Sequence, residues 1–290
     1  MIHGSTGTCH VIKEIFMIRD ITIGQYYPAK SCIHRLDPRV KIVCTLLFLI
    51  SLFVQNSVLG YAAATLFLGF VIKTSRVPLK FIVKGLKAVV MLLMFTVVMQ
   101  LFLTKGGEVL AGFWIFQITS NGLRTAVFMA VRLIYLIMGS SIMTFTTTPN
   151  GLTDGMESLL HPLNRFQVPV HEVAMMMSIA LRFIPLLLEE TDKIMKAQIA
   201  RGADLESGNI IQRTKAMVPI LVPLFVSAFR RANDLAMAME SRCYNGGENR
   251  TKMKPLVYKA GDYAAYAITV VYVTAAFVLG RFVPFHLWIF

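Results

Sequence analysis

The chain is poor in charge, poorer in acid, and nearly without cysteine. Charged residues make up 16% of its 290 positions and hydrophobic residues 56%. Ordinary soluble domains carry about 25% charged and 45–50% apolar residues. With a mean hydropathy of +0.62, that balance excludes a typical soluble fold and points to a helical membrane protein with several spans. Acids number 16 against 29 Lys and Arg, leaving a net charge of +13. Such a surplus could serve nucleic acid, but no aromatic-basic module accompanies it. In a membrane chain Lys and Arg instead gather in cytoplasmic loops and set orientation. The four cysteines, Cys9, Cys32, Cys44 and Cys243, are too scattered for a metal or redox motif. They argue against a disulfide framework. The six histidines are as scattered, so no metal site is read from them. A phosphate-cradling Gly-x-x-x-x-Gly-Lys-Ser/Thr loop is missing. So is any nucleophile–base constellation, which argues against an enzyme.

The N-terminus lacks the apolar core of a signal peptide. The text after Met17 reads like a natural start, so residues 1–16 read as an upstream extension. A spanning helix needs about 20 mostly apolar residues. Five stretches approach this: 40–54, 58–72, 88–103, 123–145 and 256–279. Asp37 and Pro38 form a helix start before the first. Between the second and third lies "KTSRVPLKFIVKGLK", residues 73–87, with five basic residues and no acid. It reads as a cytoplasmic loop. The segment around Trp114 has little charge and reads as external, with Trp114 at the interface. These charges put the N-terminus and residues 148–255 inside and the C-terminus outside.

Residues 148–255 hold two further apolar runs, Val173–Leu188 and Met217–Phe229. Neither is taken as a span. Arg182 interrupts the first, and such a charge costs at least about 2.5–3.5 kcal/mol at the bilayer centre on insertion scales. The second has 13 residues and two prolines. Long amphipathic helices along the inner membrane face are expected instead. The expected organisation is an N-terminal cytoplasmic segment (1–39), four transmembrane helices (40–147), a cytoplasmic coupling domain (148–255), and a last transmembrane helix with a tail (256–290).

Two helix ends in that domain look alike. One helix, about 187–201, carries Leu187, Leu188, Ile194, Met195 and Ile199 near one stripe and stops at Gly202. Another, about 226–242, carries Ala228, Ala232 and Ala236 in a row that would let a helix approach closely. "YNGG" follows it as a stop signal. Arg201 ends the first and Arg242 the second. An arginine is favourable at any helix C-terminus, where the dipole is negative. Two such endings on one side of a membrane chain point further, because an exposed guanidinium on a rigid tip suits bidentate pairing with carboxylates of another protein.

The chain resembles the EcfT family, the transmembrane T components of energy-coupling factor transporters, which are ABC-type importers of vitamins and metal ions. The resemblance runs from about Met17 to Tyr258. It is carried by "IGQYYP", "HRLDPRVK", "PLKFIVKGLK", "LTDGMESLLHPL", "PVHEVAMMMSIALRFIPLLLEETDKIMKAQIARGAD" and "RANDLAMAMESRCYNGGENRTK". The family signature is a pair of Ala-Arg-Gly motifs ending two coupling helices. Ala200-Arg201-Gly202 matches the first. Ser241-Arg242-Cys243 matches the second with both small neighbours changed, which questions the glycine-permitted backbone at 243. The resemblance implies that each arginine enters a groove on one of two ABC ATPase subunits. Those partners would bind ATP and Mg, this chain holding no cofactor. A separate membrane protein, the S component, would bind the substrate. "GGENRT" looks like the type in which one T component serves several S components.

Arg132, with Arg124 eight residues earlier, lies in the fourth span. It reads either as an intramembrane contact to another helix or the S component, or as a side chain snorkelling to the outer interface. Met175–Met177, Met237 and Met239 suit adaptable packing. Pro185, Pro219 and Pro223 read as bends or helix starts. The rival to a transporter scaffold is a self-contained secondary transporter or channel, which calls for internal repeats and polar groups meeting at midplane. Neither is found. An intramembrane enzyme would need paired catalytic residues, and the spans offer scattered Ser and Thr.

Overall fold

The computed structural model describes residues 26–55, 57–103, 109–113, 116–203, 210–246, 253 and 255–282. The expected extension at 1–16, Trp114, and residues 247–251 of "GGENRT" lie outside the described residues. Among the described residues the chain is helical, with α1 (Pro38–Val54), α2 (Val58–Ser75) and α3 (Leu79–Leu103) first. A short antiparallel hairpin follows, β1 (Val109–Phe113) with β2 (Phe116–Thr119). Then come α4 (Ser120–Thr146), α5 (Pro149–Leu160), α6 (Val170–Ala200), α7 (Ile210–Glu240) and α8 (Ala260–Phe282). The hairpin was not anticipated. Strands of five and four residues leave little period-two signal.

Helix starts follow local chemistry. The Asp37 carboxylate accepts the Arg39 N–H at 2.9 Å, and Pro38 opens α1. Ser57 accepts the Gly60 N–H at 3.1 Å and opens α2. The expected basic loop at 73–87 proves much shorter. α2 runs to Ser75 and α3 begins at Leu79. Arg76, at φ +57°, makes the turn, and Lys80, Lys84 and Lys87 fall on the first turns of α3. Clustered charge was therefore mistaken for loop.

Two compact units emerge. One takes in the described residues of Leu159–Pro255, the other those of Gly24–Ser158 and Leu256–Phe290. In the second unit, α1, α2, α4 and α8 surround a core of Phe48, Leu52, Tyr61, Leu68, Ile142 and Tyr272. Tyr272 stacks on Phe67 with centroids 4.3 Å apart, and its hydroxyl meets Ser51 Oγ at 3.0 Å. A Cβ at Gly139 would stand 2.8 Å from the Phe48 ring, so only glycine lets α1 and α4 close there. α5 sits on the start of α1 through Gly155, where a Cβ would meet Pro38 at 3.0 Å.

The bundle turns large apolar side chains outward, among them Leu46, Phe53, Leu66, Val271 and Phe277. In water such faces would aggregate, while hydrocarbon solvates them. By length and composition, α2, α4, α6 and α8 (over Ala260–Gly280) can cross a membrane. Three of the five expected spans are among these. α1 has 17 residues, and the apolar part of α3 is Val89–Leu101, so both need their flanks to complete a crossing. α6 qualifies although the sequence reading set its apolar run aside. Its hydropathy averages over Arg182, which is exposed.

Candidate functional site

The helices carrying the two arginines are longer than their sequence suggested. α6 runs unbroken from Val170 through Pro185, and α7 from Ile210 through Pro219 and Pro223. The expected starts near 187 and 226 are therefore corrected. A proline inside a helix removes one backbone hydrogen bond, and a long helix with a packed neighbour absorbs that loss. α6 and α7 pack antiparallel. Gln198 Nε2 donates to the Pro219 carbonyl at 3.3 Å, and Arg231 Nη2 pairs with Glu190 Oε2 at 3.1 Å.

Their C-termini close in the same way. At the end of α6, the Gly202 N–H donates to the Ile199 carbonyl at 2.9 Å and the Ala203 N–H to the Gln198 carbonyl at 3.0 Å. At the end of α7, the Cys243 N–H donates to the Glu240 carbonyl at 2.8 Å and the Tyr244 N–H to the Met239 carbonyl at 3.1 Å. These are two Schellman caps with identical spacing. Each needs a left-handed residue, Gly202 at φ +87° in one and Cys243 at φ +56° in the other. Arg201 and Arg242 hold the same slot, one residue before that reversal. Both arginines are exposed, as are Ala200, Gly202, Ser241 and Cys243.

The cysteine therefore adopts the backbone that a glycine would supply, and the stop comes earlier than "YNGG". The left-handed conformation costs a non-glycine residue about 1–2 kcal/mol. Cys243→Gly is expected to keep the cap closed and to stabilise the tip by at most about 1 kcal/mol, since glycine adds chain entropy. Cys243→Val, branched at Cβ, is expected to open the cap and displace Arg242. Hydrogen exchange at the Cys243 and Tyr244 amides checks this, and a valine variant that protects them like wild type sinks it.

The arginines point opposite ways along the pair. Each lies eleven residues past its helix's member of the Glu190–Arg231 ion pair. At 1.5 Å per residue the tips stand roughly 30 Å apart along the pair, about one small-domain diameter. Sequence reading missed this ion pair, because an interhelix contact has no local spacing rule. The stripe residues Leu187, Leu188, Ile194 and Met195 are half-buried, while Ala232 and Ala236 are exposed.

Arg132 is engaged inside its own bundle. Its Nε donates to Tyr61 Oη at 2.9 Å, its Nη2 donates to the Gln55 carbonyl at 3.0 Å, and its guanidinium lies 5.8 Å from the Phe53 ring. It ties α4 to the link between α1 and α2.

At the other end of the bundle a buried polar cluster joins three helix ends. Asp262 Oδ1 accepts the Asp37 N–H at 2.8 Å, and Oδ2 accepts the Lys259 N–H at 2.7 Å. One carboxylate thus serves the capping residues of both α1 and α8. Lys41 Nζ donates to the carbonyls of Thr146 at 2.8 Å and His34 at 3.2 Å, closing the C-terminus of α4. Asp262 and Asp37 offset its charge. Burial pushes the His34 imidazole below its ordinary pKa. The neutral ring donates from Nε2 to the Tyr27 carbonyl at 2.9 Å and accepts at Nδ1 from Ser31 at 2.7 Å.

Comparison with known proteins gives consistent matches. Residues 29–253 match the family model described as "Cobalt transport protein", CbiQ. The chain is 52% identical over 258 residues to the energy-coupling factor transporter transmembrane protein EcfT of Ruminiclostridium cellulolyticum, covering 89% of this chain and 96% of that one. To the EcfT of Clostridium kluyveri it is 55% identical, covering 86% and 93%. To that of Bacillus subtilis it is 47% identical, covering 91% and 99%.

Proposed function

The chain belongs to the EcfT family of energy-coupling factor transporter transmembrane proteins, and from that premise we propose that it is the coupling subunit of an ATP-driven importer of vitamins or other micronutrients. It carries out no chemistry of its own. Arg201 and Arg242 dock in acidic grooves of two cytoplasmic ATPase subunits, which bind ATP and Mg. A separate S component carries the substrate. The carrying observation is the pair of matching caps, which put an exposed arginine in the same slot at opposite ends of one helix pair. Tips roughly one domain diameter apart suit two partner bodies better than one.

We place the end that holds Lys41, Lys73, Arg76 and Lys259 in the cytoplasm of a bacterial cell, by the excess of basic residues there. For α6 and α7 we infer a place along a membrane surface and not across the bilayer, because Arg182 and the charged residues Lys193, Lys196 and Arg230 lie along them. Their exposed apolar residues Met176, Met177, Phe225 and Phe229 meet lipid and the S component. Closure of the ATPases on ATP would move the two tips, and the helix pair would pass that motion to the S component.

The Glu190–Arg231 pair keeps the two arms in register. Its side chains are about one-third exposed, so it adds no more than about 1 kcal/mol to stability. Its expected effect is on transmission. Glu190→Arg and Arg231→Glu are each expected to lower ATP-driven uptake severalfold in proteoliposomes holding the whole complex, and the double swap to restore it. If both single variants import like wild type, or if the swap does not restore import that they have lost, the pair has no such role.

A further inference from the structure

Where the caps of α1 and α8 meet the ends of α2 and α4, the bundle encloses an open cavity of about 500 Å³. This lies within the ~300–1,000 Å³ typical of small-molecule pockets. Its walls are almost wholly apolar and include Phe48, Phe67, Val71, Ile142 and Ala265. Phe70 and Ile268, also on the wall, are large and exposed. The cavity therefore opens on the flank that hydrocarbon covers. Three cations line it, Arg35, Lys41 and Lys259, against one acid, Asp262. The Asp262 oxygens already hold the backbone N–H groups of Asp37 and Lys259. Lys41 is buried with its ammonium on two carbonyls. Arg35 and Lys259 are exposed, and among the described residues neither makes an ion pair.

We propose that this cavity binds one anionic phospholipid, with an acyl chain between the helices and the headgroup phosphate held by Arg35 and Lys259. An apolar slot beside hydrocarbon is not filled by water, because its walls offer water too few partners. An acyl chain enters from the bilayer with little gain of its own, so charge decides which lipid stays. Basic pockets between membrane helices select anionic headgroups in this way. A zwitterionic lipid brings its own cation to the same two side chains. The two cations should favour the anionic lipid by roughly 30-fold. The occupant would also brace the junction where α1, α4 and α8 share their caps.

The test is native mass spectrometry of the full-length chain in mild detergent, titrated with phosphatidylglycerol and, separately, phosphatidylcholine. Wild type is expected to retain one phosphatidylglycerol, at least about tenfold more tightly than phosphatidylcholine. Arg35→Gln with Lys259→Gln is expected to erase that preference. Ala265→Phe, which fills the slot, is expected to remove bound lipid. Equal binding of both lipids by wild type overturns the proposal, as does a charge variant that keeps the preference or a filled variant that keeps the lipid. A photo-crosslinking residue at Thr74, used in intact membranes, reads the same slot without repacking it. An adduct of phosphatidylglycerol mass supports the site. An adduct with a peptide of this chain, or none at all, overturns it.

Discussion

Arg201→Glu combined with Arg242→Glu is expected to give a folded, membrane-inserted chain that retains neither ATPase through detergent purification. On the proposed docking the two residues would act alike, because each stands just before the left-handed turn of a Schellman cap with the same backbone bonds. A helix held closed in this way presents the guanidinium at little further loss of conformational freedom. Removing one partner of a buried, charged hydrogen-bonded pair costs about 2–5 kcal/mol of binding, and reversal adds repulsion. Each single variant is therefore expected to weaken association by at least roughly 30-fold. Each should release the ATPase at its own end first, because the tips are roughly 30 Å apart. The experiment is co-expression with the ATPase pair and capture on this chain. Size exclusion and a thermal melt confirm that the variants fold. If the folded double variant still holds both ATPases, the arginines are ordinary helix ends favoured by the dipole, and the docking model falls.

Asp262→Ala is expected to be the most damaging single change to the bundle. Asp262 is 1% exposed. Its carboxylate holds one backbone N–H from each of two helix starts, and it helps offset the buried Lys41. Alanine leaves two donors unsatisfied and that ammonium with less compensation. Such losses amount to roughly 3 kcal/mol or more. For a helical unit of this size the melting temperature should fall by about 5–10 °C. Asp262→Asn is expected to fall between, because its single carbonyl oxygen reaches one of the two donors. Fluorescence-detected melting in one detergent checks both. If alanine melts within about 2 °C of wild type, the cluster does not hold these helices together.

Much was legible because it is local. The apolar excess settled the helical membrane class. Asp37 before Pro38 marked the start of α1 to the residue. Gly202 marked the end of α6, with Arg201 beside it. In each case the deciding chemistry, a cap or a permitted φ, sits within a few residues of its effect. The family resemblance rested on blocks of the same kind.

Other features answer to partners distant in sequence. Pro185, Pro219 and Pro223 read as bends or helix starts, and the structure rules out the starts, because α6 and α7 run through them. Packing between the two helices outweighs a lost hydrogen bond. Cys243 looked like a defect in the second motif. It adopts the left-handed backbone anyway, because the cap's two hydrogen bonds offset the strain. Arg132 had two readings, and the tertiary contacts to Tyr61 and Gln55, more than seventy residues away, define its place. Asp262 reads alone as a first-turn acid of α8, and only the fold brings Asp37, 225 residues earlier, against it. The sequence by itself determined what each helix is made of and where each arginine tip lies. Tertiary structure decided which ends meet and how far apart the tips stand, because those depend on contacts between segments that no local pattern encodes.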